Sequence, residues 1–238
     1  MLRKKFFGKK NESFRIRRKD PHRIELFSDA IFAFSVSLLI MSLEVPQTFQ
    51  ELKLVLQSFL PFIATVLLVV LFWREQERYF AHYGLSDSLV VWLNVILLVV
   101  ILFYVYPLKF LFSLLLSMVT HTNYFPKAGA ETIIDVKDFP QLVMIYSLGY
   151  AVIWFLFFIL YEIAWHRRLQ LELNKYEIAD TKKELRSSFF NCCVGLVSLF
   201  FAAVNAPGIG GLCFLLIPAG LWFVGWKMKQ ELKPVKRA

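Results

Sequence analysis

The chain has 238 residues, 58% hydrophobic and 17% aromatic with 25 Phe, a mean hydropathy of +0.56 and a formal net charge of +9. A soluble domain of this composition would lack the polar surface to cover itself. Apolar runs long enough to cross a hydrocarbon core of roughly 30 Å recur along it, and none alternates like the strands of an outer-membrane barrel. The expected class is therefore all-α: a polytopic membrane protein with six transmembrane helices.

Residues 1–22 read as a basic N-terminal arm, expected to stay flexible as far as Pro21, which suits the first turn of a helix. Ten Lys/Arg precede or open the first run, including Arg15, Arg17, Arg18, Lys19 and Arg23. We read this charge as topogenic, with an attraction to anionic membrane lipid headgroups, and not as a nucleic-acid site. The basic lead and the run after it are too long for a cleaved signal peptide.

The six runs lie at about 24–43, 52–73, 89–116, 141–164, 188–206 and 210–226. The third is long enough to tilt, or to kink before Pro107. "NAPGIGG" (205–211) separates the last two by only a tight turn. The loop 117–140 is the largest external feature, and the loop 165–187 is expected to extend the fourth helix or to lie along the membrane surface. Lys and Arg favour the arm, the 74–88 and 165–187 loops and the 227–238 tail; 117–140 holds only Lys127 and Lys137. The positive-inside rule puts both termini in the cytoplasm, which an even number of spans also requires. The expected organisation is a cytoplasmic arm (1–22), a six-helix membrane domain (23–226) and a basic cytoplasmic tail (227–238), in the inner membrane.

The first run carries Glu25, Ser28, Asp29, Ser35, Ser37 and Ser42 among its apolar residues. At about 100° per residue, Phe27, Phe34, Leu38 and Met41 share a narrow stripe, with Ala30 and Ser37 at its edge. Ser28, Ser35 and Ser42 form a second stripe about a third of a turn away. Helix packing and a path for a solute both fit the bulky stripe; the serines suit close approach of another helix. Asp29 must pair, hydrogen-bond or face water, with Arg23 or a polar group of another helix as its partner.

Cys192, Cys193 and Cys213 sit inside predicted spans and suggest neither a disulfide framework nor a metal site. His22, His82, His121 and His166 do not converge with a nucleophile in any motif, which argues against an enzyme. A secondary transporter would show repeats and paired helix breaks, and Pro107 has no counterpart in the other half.

Arg23-x-x-x-Phe27-Ser28-Asp29 at the start of a first span resembles the transmembrane protein 175 family of potassium channels in its single-repeat, prokaryotic form. "FW" (Phe72-Trp73), "WLN" (Trp92-Leu93-Asn94) and Tyr106-Pro107 extend the likeness. The resemblance implies a homotetramer whose first helices line the pore, with no "TVGYG" carbonyl filter, no cofactor and K+ as the permeant ion. It implies an apolar constriction five, nine and twelve residues after the motif Asp, at Phe34, Leu38 and Met41. Ser37 falls where the family has a hydroxyl proposed to contact the ion. Arg23, Phe27, Ser28 and Asp29 would anchor the helix, with Trp73 and Asn94 as partners. Phe34 is bulkier and Met41 more flexible than the usual residues, Ala30 replaces a common Gly, and "FWREQERYF" lacks a frequent His. The alternatives to a channel are a secondary transporter and a non-conducting scaffold.

Overall fold

The computed structural model describes residues 14–17, 20–41, 45–122, 124–125, 134–135 and 137–231, with side chains as far as Trp226. Ser42, Lys127, most of the arm and the end of the tail lie outside the described residues. Those residues form eight helices and no strand: α1 Arg23–Met41, α2 Phe49–Gln57, α3 Phe59–Tyr83, α4 Ser88–Thr120, α5 Phe139–His166, α6 Lys175–Ala203, α7 Pro207–Cys213 and α8 Leu216–Glu231. They make six units long and apolar enough to span a membrane, one for each run in the sequence.

Local chemistry sets the boundaries that hydropathy leaves open. The second run is two helices, because Pro61 has no N–H and its ring opposes the carbonyl four residues back; the chain breaks at Ser58, and Pro61 enters the first turn of α3. Gly84 ends α3 in the left-handed region (φ 60°), its N–H donating to the Phe80 carbonyl. The long α4 continues through Pro107. Asn205 (φ 59°) and Pro207 turn the chain between α6 and α7. Gly210 then lets α7 press onto α6, since a Cβ there would stand 2.9 Å from the Ser198 carbonyl oxygen.

Two expectations are corrected. The 165–187 loop does not prolong the fourth span: α5 stops at His166, and α6 begins early, at Lys175. The cause is a capping box in which Asn174 accepts from the Glu177 N–H while Glu177 accepts from the Asn174 N–H. The arm is also not free up to Pro21. Phe14 stacks on His82, with ring centroids 4.0 Å apart, and Arg15 and Arg17 both pair with Glu177.

α1 leans on α3 and α4, which pair with each other; α4 meets α5, and α6 joins α5 to α7 and α8. The core holds Phe72, Tyr79, Phe80, Leu97, Leu98, Phe157 and Tyr161, all essentially inaccessible. Ser147 and Ser198 share a 2.7 Å hydrogen bond across the α5–α6 seam, and the Tyr104 hydroxyl donates to the Tyr146 carbonyl at 2.7 Å, whereas the Tyr79 hydroxyl is buried with no hydrogen-bond partner among the described residues.

Candidate ion pathway

α1 owes its start to Glu25, whose carboxylate reaches back one turn to accept from the His22 N–H at 2.9 Å, satisfying a donor that the helix itself leaves open. Its hydroxyls are tolerated because each donates to the carbonyl four residues back: Ser28 to Ile24 (2.7 Å), Ser35 to Ile31 (2.8 Å) and Ser37 to Ala33 (3.1 Å). Such a bond uses the proton and leaves oxygen lone pairs for another partner.

The helix has two unlike faces. Glu25, Ser28, Phe32, Ser35 and Leu39 are buried against the rest of the chain. Phe27 (52% exposed), Phe34 (54%), Leu38 (38%) and Met41 (76%) point away from it, and Ser37 is on that side too. The bulky stripe of the sequence is therefore left exposed outside the buried core, whereas Ser28 and Ser35 are buried.

The buried face is tied down by a hydrogen-bonded relay. Gln76 of α3 donates to the Asn94 side-chain oxygen (3.1 Å), Asn94 of α4 donates to the Ser28 hydroxyl (3.0 Å), and Ser28 donates to its own helix. All three side chains are buried. Beside them the Trp73 indole N–H donates to the Asp29 carboxylate at 2.7 Å. The structure thus brings Ser28, Asp29, Trp73 and Asn94 together. Arg23 and Phe27 are exposed and stand outside this relay. At the other end of α1, Lys109 of α4 reaches the Leu39 carbonyl (3.5 Å), near the last turn where carbonyls lack helical partners.

Two features escaped sequence reasoning. Gln76 lies one turn beyond Trp73, on the same side of α3, and that spacing was a usable signal. The second is the strap formed by Phe14, Arg15 and Arg17. Arg17 donates to the Leu171 and His82 carbonyls as well as to Glu177 (2.8 Å), and Arg15 donates to Glu177 through its backbone and guanidinium. These arginines read as bulk positive charge, and nothing in their spacing named the carboxylate they meet. No group of His, Cys, Asp and Glu among the described residues is arranged to hold a metal.

The family model for the endosomal/lysosomal potassium channel TMEM175 matches residues 23–104. A potassium channel of Marivirga tractuosa is 34% identical over 230 residues, covering 90% of each chain. A potassium channel of Chamaesiphon minutus is 23% identical over 202 residues, covering 82% of this chain and 90% of its own. Among solved structures, a variant of the potassium channel MtTMEM175 bound to a nanobody–MBP fusion matches with a TM-score of 0.80 at 31% identity, over 92% of this chain and 98% of that one. The lysosomal potassium-selective channel TMEM175 homologue of Chamaesiphon minutus shares the fold with a TM-score of 0.52 at 22% identity, over 85% and 96%. With this much of its length aligned, and with the seven-residue motif held at the start of α1, the chain belongs to the TMEM175 family.

Proposed function

We propose that four copies of this chain form a potassium-selective channel of the inner membrane, with both termini in the cytoplasm and the α1 helices lining the pore. Potassium-channel function is what its relatives are named for, and the chain is not an enzyme. The observation that carries the pore assignment is the division of α1. One face is fixed to α3 and α4 by the buried relay, and the other presents Phe34, Leu38 and Met41, each left exposed in part, with Ser37 beside them. A face made only for lipid has no need of Ser37, while a face meeting its own copies around an axis uses both residue types.

In that assembly, rings of Phe34, Leu38 and Met41 narrow and dewet the path, and an ion crosses when the rings widen. Shedding part of a hydration shell costs potassium less than the more strongly hydrated sodium. Ser37, whose proton is committed to Ala33, offers lone pairs to the passing cation. Asp29 and Trp73, Asn94 and Ser28 act as anchors off the path. The basic arm and tail rest against anionic headgroups, and K+ is the only small partner required.

Reconstitution in liposomes tests the proposal directly. Flux under a potassium gradient should clearly exceed flux under a matching sodium gradient. Equal fluxes would keep the pore and discard selectivity. An assembled protein that passes neither ion would sink the channel reading.

A further inference from the structure

A second polar cluster lies on the outer side of the seam between α5 and α6, far along the chain from the motif. Trp165, one residue before the end of α5, carries two cations on its ring: the Arg168 guanidinium carbon is 4.7 Å from the ring centroid and the Lys182 ammonium is 5.3 Å away. Trp165, Arg168 and Lys182 are all partly exposed. The neighbouring charges are already committed: Arg167 is held by Asp87, and Glu162 sits 3.3 Å from His166. Arg168 donates to the Trp165 carbonyl (3.1 Å), and neither it nor Lys182 forms an ion pair with Asp87 or Glu162. Two like charges are thus gathered on one aromatic ring. Each gains from the ring, but they repel one another until an anion lies between them.

The surroundings say which anion. α5 and α6 are antiparallel neighbours, and seven residues from Trp165 and Lys182, about 10 Å along the helices, Phe158 and Phe189 pack together with centroids 5.6 Å apart. Phe189 is 57% exposed, and Leu169, next to Arg168, is 82% exposed. Beside Phe158 runs a groove of about 250 Å³ lined by Leu89, Ile159 and Ile163, with Glu162, His166 and Arg167 toward the helix end. The cations therefore cap an uncovered apolar track at a helix end, where tryptophan marks the boundary between hydrocarbon and water.

We propose that Arg168, Lys182 and Trp165 form a binding site for the headgroup phosphate of an anionic phospholipid, whose acyl chain lies along Phe158 and Phe189. A free phosphate has no use for the apolar track, and a zwitterionic lipid brings its own cation to a site that already holds two. The site rests on the membrane orientation proposed above only in that this end of α5 lies at a bilayer surface, and it can be read without any ion flux.

The test uses tryptophan emission from the full-length protein in phosphatidylcholine vesicles, titrated with dibrominated phosphatidylglycerol or dibrominated phosphatidylcholine. Trp165's share is the difference from Trp165→Phe. That share should be quenched at a roughly tenfold lower mole fraction of the anionic lipid, given two basic groups near the surface. The separation between the curves should close in Arg168→Gln/Lys182→Gln and persist in Arg168→Lys/Lys182→Arg. Single neutralisations should each narrow it, and they carry the test if the double variant does not assemble. Coincident curves in the unaltered protein would overturn the proposal. So would a separation that survives neutralisation, or one that inorganic phosphate closes where chloride of equal ionic strength does not.

Discussion

Asn94 stands where side chains from α1, α3 and α4 meet, donating to Ser28 and accepting from Gln76 with no exposed surface. Replacing it by leucine strands the Gln76 amide in an apolar seam, which costs about 1–3 kcal/mol. Ser28→Ala loses its bond to Ile24 and one Asn94 N–H acceptor but leaves the Gln76–Asn94 bond in place, and a hydrogen bond between membrane helices averages about 0.6 kcal/mol. Asn94→Leu should therefore lower the thermal midpoint of the detergent-solubilised protein by several degrees more than Ser28→Ala; equal shifts would mean that the relay is not cooperative. The residue scale was also where the sequence was most legible and least complete. The two faces of α1 follow from the helical period alone, so Phe34, Leu38 and Met41 could be grouped from the sequence. Gln76 is not legible in this way, because a lone glutamine at the end of an apolar run carries no charge to demand a partner. Glu177 is hidden for the opposite reason: it sits among so many charges that none stands out.

Hydropathy located six spans because burial in lipid needs length and apolarity and little else. It could not see where a helix starts or breaks, which is decided by single backbone groups. "NKYE" (174–177) is a capping-box sequence, and its consequence is that α6 begins well outside the apolar run. The same carboxylate that starts α6 holds the arm. Glu177 is fully buried and accepts from Arg15 and Arg17, so the strap bridges the ends of α3 and α6 just before the chain enters α1. Breaking a buried ion pair costs about 3–5 kcal/mol, but Arg15 is half exposed and screened by water. A net loss of about 1.4 kcal/mol corresponds to a tenfold rise in the undocked population. Glu177→Gln should accordingly make trypsin cut after Arg17 roughly tenfold faster; an unchanged rate would leave the Phe14–His82 stack as what holds the strap. Acid also acts on a second clasp. Arg167 donates to both Asp87 oxygens, at 2.5 and 3.0 Å, and this hydrogen bonding holds the Asp87 carboxyl below the usual carboxylate range. A depressed carboxyl stabilises the fold fully above its unfolded value, about pH 4, and the gain disappears as pH falls through the folded value. Asp87→Asn should leave stability between pH 5 and 7 flat and reduce its fall below pH 4. The effect is small because both side chains are about a third exposed.

At the scale of the whole molecule, a single α1 cannot enclose a pore, and the number of copies is not written in any one helix. What one chain does provide is an internal control, because Leu38 and Leu39 are neighbours in sequence, about 100° apart on the helix, with one exposed and the other buried. Leu39 is 1% exposed against α3 and α4, while Leu38 is 38% exposed and belongs to the stripe with Phe34 and Met41. Leu39→Ala opens a cavity in the protomer and should cost about 2–5 kcal/mol, as buried leucines do. It should reduce the yield of assembled protein without making it leak. Leu38→Ala truncates a side chain outside the buried core, so the protomer should lose less stability than in Leu39→Ala. In the proposed assembly it widens an apolar ring by four leucyl side chains at once, and a wider ring stays wet. Potassium flux into liposomes should then rise severalfold at unchanged protein content, and sodium should gain more than potassium because the penalty for keeping its water is relaxed. The comparison of the two variants separates stability from conduction, since a damaged fold would lower assembly in both. If Leu38→Ala leaves flux unchanged in a preparation that conducts, the constriction does not lie on this face of α1. The exposed stripe is then a contact with lipid or with a neighbouring subunit outside the ion path.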